Sequence, residues 1–335
     1  MIKAFFIVNH FRLHLLMSIF PFIVYNNYAM GNDRKHVDYQ ITKNIVDNSL
    51  SNTEALFVFT FKNVSEGFFI QSNIKASCNG IEKNIKPDLK GQYSLKLVPG
   101  KYTFQFFYNE DFYEIQTDSI KIEPAHRIEI TVNFESSYFP VQMRKPVIYV
   151  YPQQTTPVNI KLDLKGEFIF TYPQYNNGWS FTADPNGTIH MNNKEYQYLF
   201  WDGNTNINAH EISWNEGFVV NTNELLGFLE NKLTVMGLNS KEQQDFITYW
   251  YPLMSVNKKN YIHFVFNEDY NQYANISVTP KPDNMFRVYM IWANADEIKD
   301  IKITEQNIPS LKREGFTIVE WGGSQIKSVQ NVYGL

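Results

Sequence analysis

The residues that could do chemistry in this sequence are carboxylates set beside tryptophans: Trp201-Asp202, Glu211 near Trp214 and Glu216, and Glu320-Trp321. An aromatic ring stacks on the apolar face of a sugar while an acid hydrogen-bonds its edge, and two carboxyl groups at a fixed separation can hydrolyse a glycosidic bond. Trp201, Asp202, Trp214 and Trp321 are therefore candidate ligand-binding residues. Glu211, Glu216 and Glu320 are the candidate acids if the protein is an enzyme; no residue is assigned as catalytic. Successive side chains of a strand point to opposite faces, so Glu320 and Trp321 share a surface only if the strand ends at Gly322-Gly323. The plain alternative is that the tryptophans are core and the acids solvated.

Asp283 and Arg287, in PKPDNMFRVYMIW (280 to 292), are a second candidate pair. With Phe286, Val288, Met290 and Trp292 facing the core, Arg287 and Tyr289 take the other face. Were helices to cover that face, Arg287 would need Asp283, Glu216 or Glu320 as a partner. It then serves either as a structural ion pair or as a clamp for a ligand carboxylate or phosphate.

Other chemistries find no support. His210-Glu211-Ile212-Ser213-Trp214 has Trp where a zincin needs its second His. Ser324 in Gly-Gly-Ser-Gln lacks the nucleophile elbow, and no glycine-rich phosphate loop lies between a strand and a helix. Cys78, the sole cysteine, sits in a Ser-Cys-Asn-Gly turn with no nearby His and excludes an internal disulfide. No metal and no cofactor are expected.

The elements that must position these residues are mostly strands, as an aromatic share of 16% suggests. From Ala55 to Phe134, short apolar runs alternate with turns: LFVFTF, GFFIQSNI, YSLKL, YTFQFF, SIKIEP and IEITVNF. That spacing predicts an antiparallel sandwich over 52–135. Further strand candidates fill a β-rich domain over 140–335, beginning with RKPVIYVYPQQ (144 to 154). There Val147, Tyr149 and Tyr151 alternate against Ile148 and Val150, and Pro146 and Pro152 bound a strand in the edge or first-residue positions that tolerate proline. Two helices interrupt the strands. Asn221 with Glu224 opens one near 222–236, with Leu225, Leu226, Leu229 and Leu233 on one face before Gly237. Ser240 with Gln243 opens another near 241–251, with Phe246, Ile247, Trp250 and Tyr251 as its stripe until Pro252. The fold class is thus mainly β (α+β), with a helical hairpin inserted in the second domain.

At the N-terminus, Lys3 and Arg12 precede an apolar run from Leu15 to Tyr25, and Ala29-Met30-Gly31 supplies small residues for cleavage. This reads as a signal peptide over 1–31, the alternative being an uncleaved anchor from Ala4 to Tyr25. A polar linker is expected over 32–51. After Gly31 no apolar run is long enough for a transmembrane helix. The protein is expected to be exported, to the periplasm, cell surface or medium. A formal charge of −4 without a Lys/Arg block speaks against nucleic acid.

Two resemblances follow from particular residues. Gly91, Tyr93, Leu95, Leu97, Pro99, Gly100 and Tyr102, in KGQYSLKLVPGKY, resemble the prealbumin-like sandwich of carboxypeptidase regulatory domains; Pro99-Gly100 would supply a type II turn. The resemblance implies an accessory module without chemistry of its own. Lys145 to Pro152, with YPQYNNGW (172 to 179), YQYLFWDG (196 to 203), FLENKLTVMGL (228 to 238), FITYWYPLM (246 to 254), PKPDNMFRVYMIW and FTIVEWGG (316 to 323), resembles exported bacterial and fungal proteins with a KPVIYLYP motif, a family of unknown function. It implies no activity. The expected function is a non-enzymatic exported protein that presents an aromatic surface to polysaccharide or to an extracellular protein; the alternative is an exported glycosidase-like hydrolase.

Overall fold

The computed structural model describes residues 38–297 and 302–326; the expected signal segment lies outside them. The chain divides into two compact units between Ser137 and Tyr138.

The first unit is a β-sandwich. Strand Ala55–Asn63 lies central in one sheet and alternates fully buried with half-buried residues. Its Phe57, Phe59 and Phe61 meet Phe104 and Phe106 of the facing sheet edge to face, with ring centroids 4.9 to 5.1 Å apart. Such contacts are worth about 0.5–1.5 kcal/mol each beyond area burial, so packing holds a unit that has no disulfide. Pairing is antiparallel except that His126–Phe134 runs parallel to Ala55–Asn63. Cys78 is buried and free, and burial pushes its thiol up to about 11, in keeping with an inert residue.

Two local expectations change here. The polar stretch expected as linker holds strand Tyr39–Val46, paired with His126–Phe134. Its side chains are almost all exposed, so it is held by main-chain hydrogen bonds and shows no burial pattern to read. Gly100 is not in a left-handed conformation, as a type II turn would require; it begins strand Gly100–Tyr102 and pairs with Ile122. Gly91 is the true special position, at φ +69° with room for no Cβ beside the Phe61 carbonyl.

In the second unit the strands are β1 (Tyr138–Tyr151), β2 (Thr156–Leu164), β3 (Gly166–Tyr172), β4 (Trp179–Ala183), β5 (Ile189–Met191), β6 (Lys194–Tyr196), β7 (Leu199–Asn208), β8 (Phe218–Asn221), β9 (Lys259–Phe266), β10 (Ala274–Thr279), β11 (Asn284–Asn294) and β12 (Thr317–Gln325). The helices are α1 (Thr222–Val235), α2 (Ser240–Met254) and the short α3 (Asn267–Asn271). They form three layers. A seven-stranded sheet, in order β3-β7-β1-β12-β11-β9-β8, occupies the middle, and a five-stranded sheet, β6-β5-β4-β2-β10, packs on one face. Helices α1 and α2 pack on the other face, burying Leu225, Leu229, Leu233, Phe246 and Trp250 over Val147, Tyr149 and Trp321.

Lys145 to Tyr151 of the KPVIYVYP segment form the last half of β1, a 14-residue strand with partners on both sides that ends before Pro152. It is therefore central rather than an edge. The alternation holds, with Val147 and Tyr149 toward the helices and Ile148 and Val150 toward the second sheet. Pro146 is tolerated because the register shifts between Met143 and Val147, a bulge where Lys145 adopts φ +55° and no ladder N–H is needed at the proline.

Helix ends also depart from expectation. Asn221 makes no backbone cap, bonding Glu224 instead. In α2 the capping box is Asn239 with Glu242, one residue earlier than Ser240 and Gln243. Pro252 lies inside the last turn of α2, which runs on to Met254 rather than ending before the proline. Leu226 points outward, 43% exposed.

Candidate functional site

Arg287 and Glu320 face each other in register on the parallel pair β11·β12. Both are fully buried. Arg287 Nε donates to Glu320 Oε2 at 2.5 Å, its Nη1 donates to the Ala274 carbonyl at 2.7 Å and to Asn271, and its guanidinium lies 4.1 Å from the centre of the Tyr270 ring. Trp201 Nε1 donates to Glu320 Oε1 at 2.9 Å. Three of the expected site residues thus converge, but inside the core between the two sheets. Arg287 turns toward the five-stranded sheet, because the helices cover the other face with Phe286, Val288, Met290 and Trp292.

The remaining candidates are dispersed. Trp321 sits on the opposite face from Glu320, against Phe246 at 5.1 Å. Strand β12 continues through Gly322-Gly323 rather than ending there; these glycines admit Pro146 and Trp250, against which a Cβ would lie at 2.9 Å. Trp214 is buried and gives its indole N–H to the Ala209 carbonyl at 2.8 Å. Glu211 accepts from the Tyr273 hydroxyl at 3.1 Å, Glu216 offers its backbone carbonyl to Tyr261 and His263, and Asp283 accepts the Phe316 N–H at 2.7 Å. Trp201, Trp214 and Trp321 are 0%, 7% and 0% exposed, so the expected stacking platform is not built from these tryptophans. Burial of the large indole in the cores won over display.

An aromatic surface does exist, from other residues. The helical layer covers β1 and thins out at β7, where Phe200 still packs against it. There, on β7 and β3, the helix-side face carries partly buried Phe200 and the exposed Phe170 (57%) and Tyr172 (53%). Phe170 stands opposite Asp202, and Tyr172 opposite Phe200. Phe170 meets Phe200 at 5.8 Å between centroids and Tyr172 meets Tyr196 at 5.5 Å. A register shift between Phe168 and Phe170 sends Phe168 inward, edge to face with Trp201 at 5.8 Å, and leaves Phe170 and Tyr172 outside.

Polar groups border this strip. Asp202, half-buried, accepts the Lys145 N–H at 2.7 Å. Burial raises its carboxyl above the ordinary value; the Lys145 N–H and the charges of Arg144 and Lys145 oppose that rise. The Lys145 ammonium donates to the Tyr198 hydroxyl at 3.3 Å and lies 5.2, 5.5 and 5.6 Å from the centres of the Tyr198, Phe200 and Tyr249 rings. Further along β1, Tyr149 donates to Asp245 at 2.8 Å and stacks on Tyr151, which accepts from Asn239 at the start of α2. Of the expected site residues, Asp202 alone belongs here. Lys145, Phe170, Tyr172, Tyr198, Phe200 and Tyr249 carry no catalytic or binding motif that marks them in the sequence. The period-two tyrosines of KPVIYVYP and aromatics of EFIFTY were the available signal, blurred by the bulges. Among the described residues, no group of three or more His, Cys, Asp or Glu side chains could hold a metal ion.

No family profile matches the chain. An uncharacterized protein in the bglA 3′ region of Butyrivibrio fibrisolvens is 40% identical over 62 residues, 18% of this chain. The chain spans 65% of that relative's length. Among solved structures, the Bacillus anthracis TIE protein has a TM-score of 0.23 at 14% identity over 47% of this chain and 31% of that one. A streptococcal ancillary pilin scores 0.21 at 10% identity, over 45% and 53% of the two chains. A DUF3823 family protein from Bacteroides ovatus scores 0.21 at 12%, over 46% and 97%. At these scores the likenesses carry no fold or function to this chain.

Proposed function

We propose that the protein is an exported, non-enzymatic binding protein whose second unit takes a polysaccharide across the aromatic strip of β3 and β7. One observation carries the reading: Phe170 and Tyr172, both more than half exposed, continue Phe200 and Tyr196 into an open aromatic surface beside the half-buried Asp202. Rings held on a sheet offer flat, rigid stacking area at low entropic cost, and the adjoining acid and hydroxyls can bond sugar edges. The hydrolase alternative loses ground because Glu320 is tied to Arg287 and Trp201 in the core. Membership of the exported KPVIYLYP-motif proteins, and a prealbumin-like accessory role for the first unit, belong to the same reading. Among the described residues no helix is long and apolar enough to cross a membrane.

The test is a glycan array probed with the full chain and with Phe170→Ala, Tyr172→Ala and Phe68→Ala. Phe68, exposed on the first unit, is the control. The two strip variants should each weaken binding about tenfold, about 1.4 kcal/mol, while Phe68→Ala should not. Glycan binding that survives both strip changes defeats the proposed surface.

A further inference from the structure

In a regular strand Arg144 and Lys145 would point to opposite faces. The bulge between Met143 and Val147 changes this. Val141 and Met143 point into the core between the sheets, which sets Arg144 on the helix side, and the left-handed turn at Lys145 brings its ammonium to the same side, among Tyr198, Phe200 and Tyr249. Asp202 fixes that geometry by accepting the Lys145 N–H.

Two adjacent cations thus border the aromatic strip. Among the described residues neither closes an ion pair with a carboxylate. Arg144 is exposed, and its Nε is held at 3.0 Å by Gln142 Oε1; both terminal nitrogens remain for a planar acceptor. Phe200 connects the parts, 5.8 Å from exposed Phe170 and 5.5 Å from the Lys145 ammonium. Asp202, opposite Phe170 on β7, feels the charges of both Arg144 and Lys145, so a glycan stacked on Phe170 and running along the strip would approach both cations.

Resting on the polysaccharide reading above, we infer that the ligand is an acidic glycan, whose uronic acid carboxylate is received by Arg144 and Lys145 while its ring stacks on Phe170 and Tyr172. A guanidinium presents two parallel donors that match a carboxylate. The ammonium adds a point charge, and the aromatic surround limits its hydration.

The matched probes are polygalacturonate and its methyl ester, which differ in the carboxylate alone, with a sulfated glycan as a third arm. Titration calorimetry at low and high salt would use the full chain, Arg144→Gln, Lys145→Met and Phe170→Ala. The free acid should bind at least tenfold tighter than the ester. Arg144→Gln should reduce that preference at least threefold and keep the ester's affinity, and Phe170→Ala should weaken both polymers. Because Arg144 is exposed, its variant stays interpretable even if Lys145→Met fails to fold. Equal affinity for acid and ester, or a preference unchanged by Arg144→Gln, overturns the inference while leaving the polysaccharide reading intact. Binding of the sulfated glycan alone overturns the carboxylate assignment. Absence of all glycan binding overturns both.

Discussion

Trp201 and Glu320 lie 119 positions apart in the chain, yet the indole N–H of one donates to the carboxylate of the other at 2.9 Å in the core between two sheets. Arg287 completes the trio from the neighbouring strand, and its side chain and that of Glu320 are 1% and 0% exposed.

Removing one member of a buried pair strands the other charge. Arg287→Met should therefore destabilise the second unit by about 3–5 kcal/mol. The double variant Arg287→Met/Glu320→Gln should recover most of that loss, because glutamine keeps an acceptor for Trp201 and carries no charge. Urea unfolding followed by tryptophan fluorescence measures both. A double variant as unstable as the single one would show that packing, rather than the uncompensated charge, dominates.

His263 sets a pH dependence. Burial depresses its imidazole below the ordinary value, against a smaller upward effect of its bond to the Glu216 carbonyl. The folded state therefore takes up a proton less readily than the unfolded chain. The stability contributed is complete above the unfolded value of about 6.5 and is lost as pH falls below it. His190 runs the other way, raised chiefly by Asp184, so its contribution fades as pH rises through its folded value. Denaturant midpoints from pH 8 to pH 5 should fall less steeply for His263→Gln than for the parent, and more steeply for His190→Gln.

Much of this architecture was readable because burial leaves a periodic trace. The alternation of Val147, Tyr149 and Tyr151 against Ile148 and Val150, and the stripe Leu225, Leu229, Leu233, both follow from one face meeting a core. What could not be read depends on partners or on bulges. Nothing local states that β1 has neighbours on both sides, or that Phe168 and Phe170, two positions apart, face opposite ways. The tryptophans beside acids suggested a surface, but period two puts Trp201 and Asp202 on different faces of β7, and the sheet buries the larger side chain. Period two sets Arg287 opposite Phe286 and Val288; which layer covers it is a tertiary fact.

The bulge in β1 is held by Asp202, whose carboxyl burial disfavours as an anion. Asp202→Asn keeps an oxygen for the Lys145 N–H and removes the charge, so at pH 7 it should be at least as stable as the parent. Asp202→Ala loses the acceptor and should cost about 1 kcal/mol. If alanine and asparagine were equivalent in thermal unfolding, the bond to Lys145 would have no stabilising role.

Two glycines should answer oppositely to the same substitution. Gly227 lies inside α1 with open space where a Cβ would stand. Replacing it by alanine reduces the freedom of the unfolded chain and should stabilise the protein by about 0.5–1 kcal/mol. Gly323 in β12 has the Met290 carbonyl 2.5 Å and the Trp250 ring 2.9 Å from the position of a Cβ. Backbone on one side and the α2 indole on the other leave the methyl nowhere to go, so Gly323→Ala should destabilise by about 1–3 kcal/mol through overpacking. The two changes are made in the same unit, and chemical denaturation of the pair and of the double variant measures them together. A neutral Gly323→Ala would mean that α2 can lift from the sheet at Trp250, and the close helix contact would then not be what requires glycine in Trp-Gly-Gly.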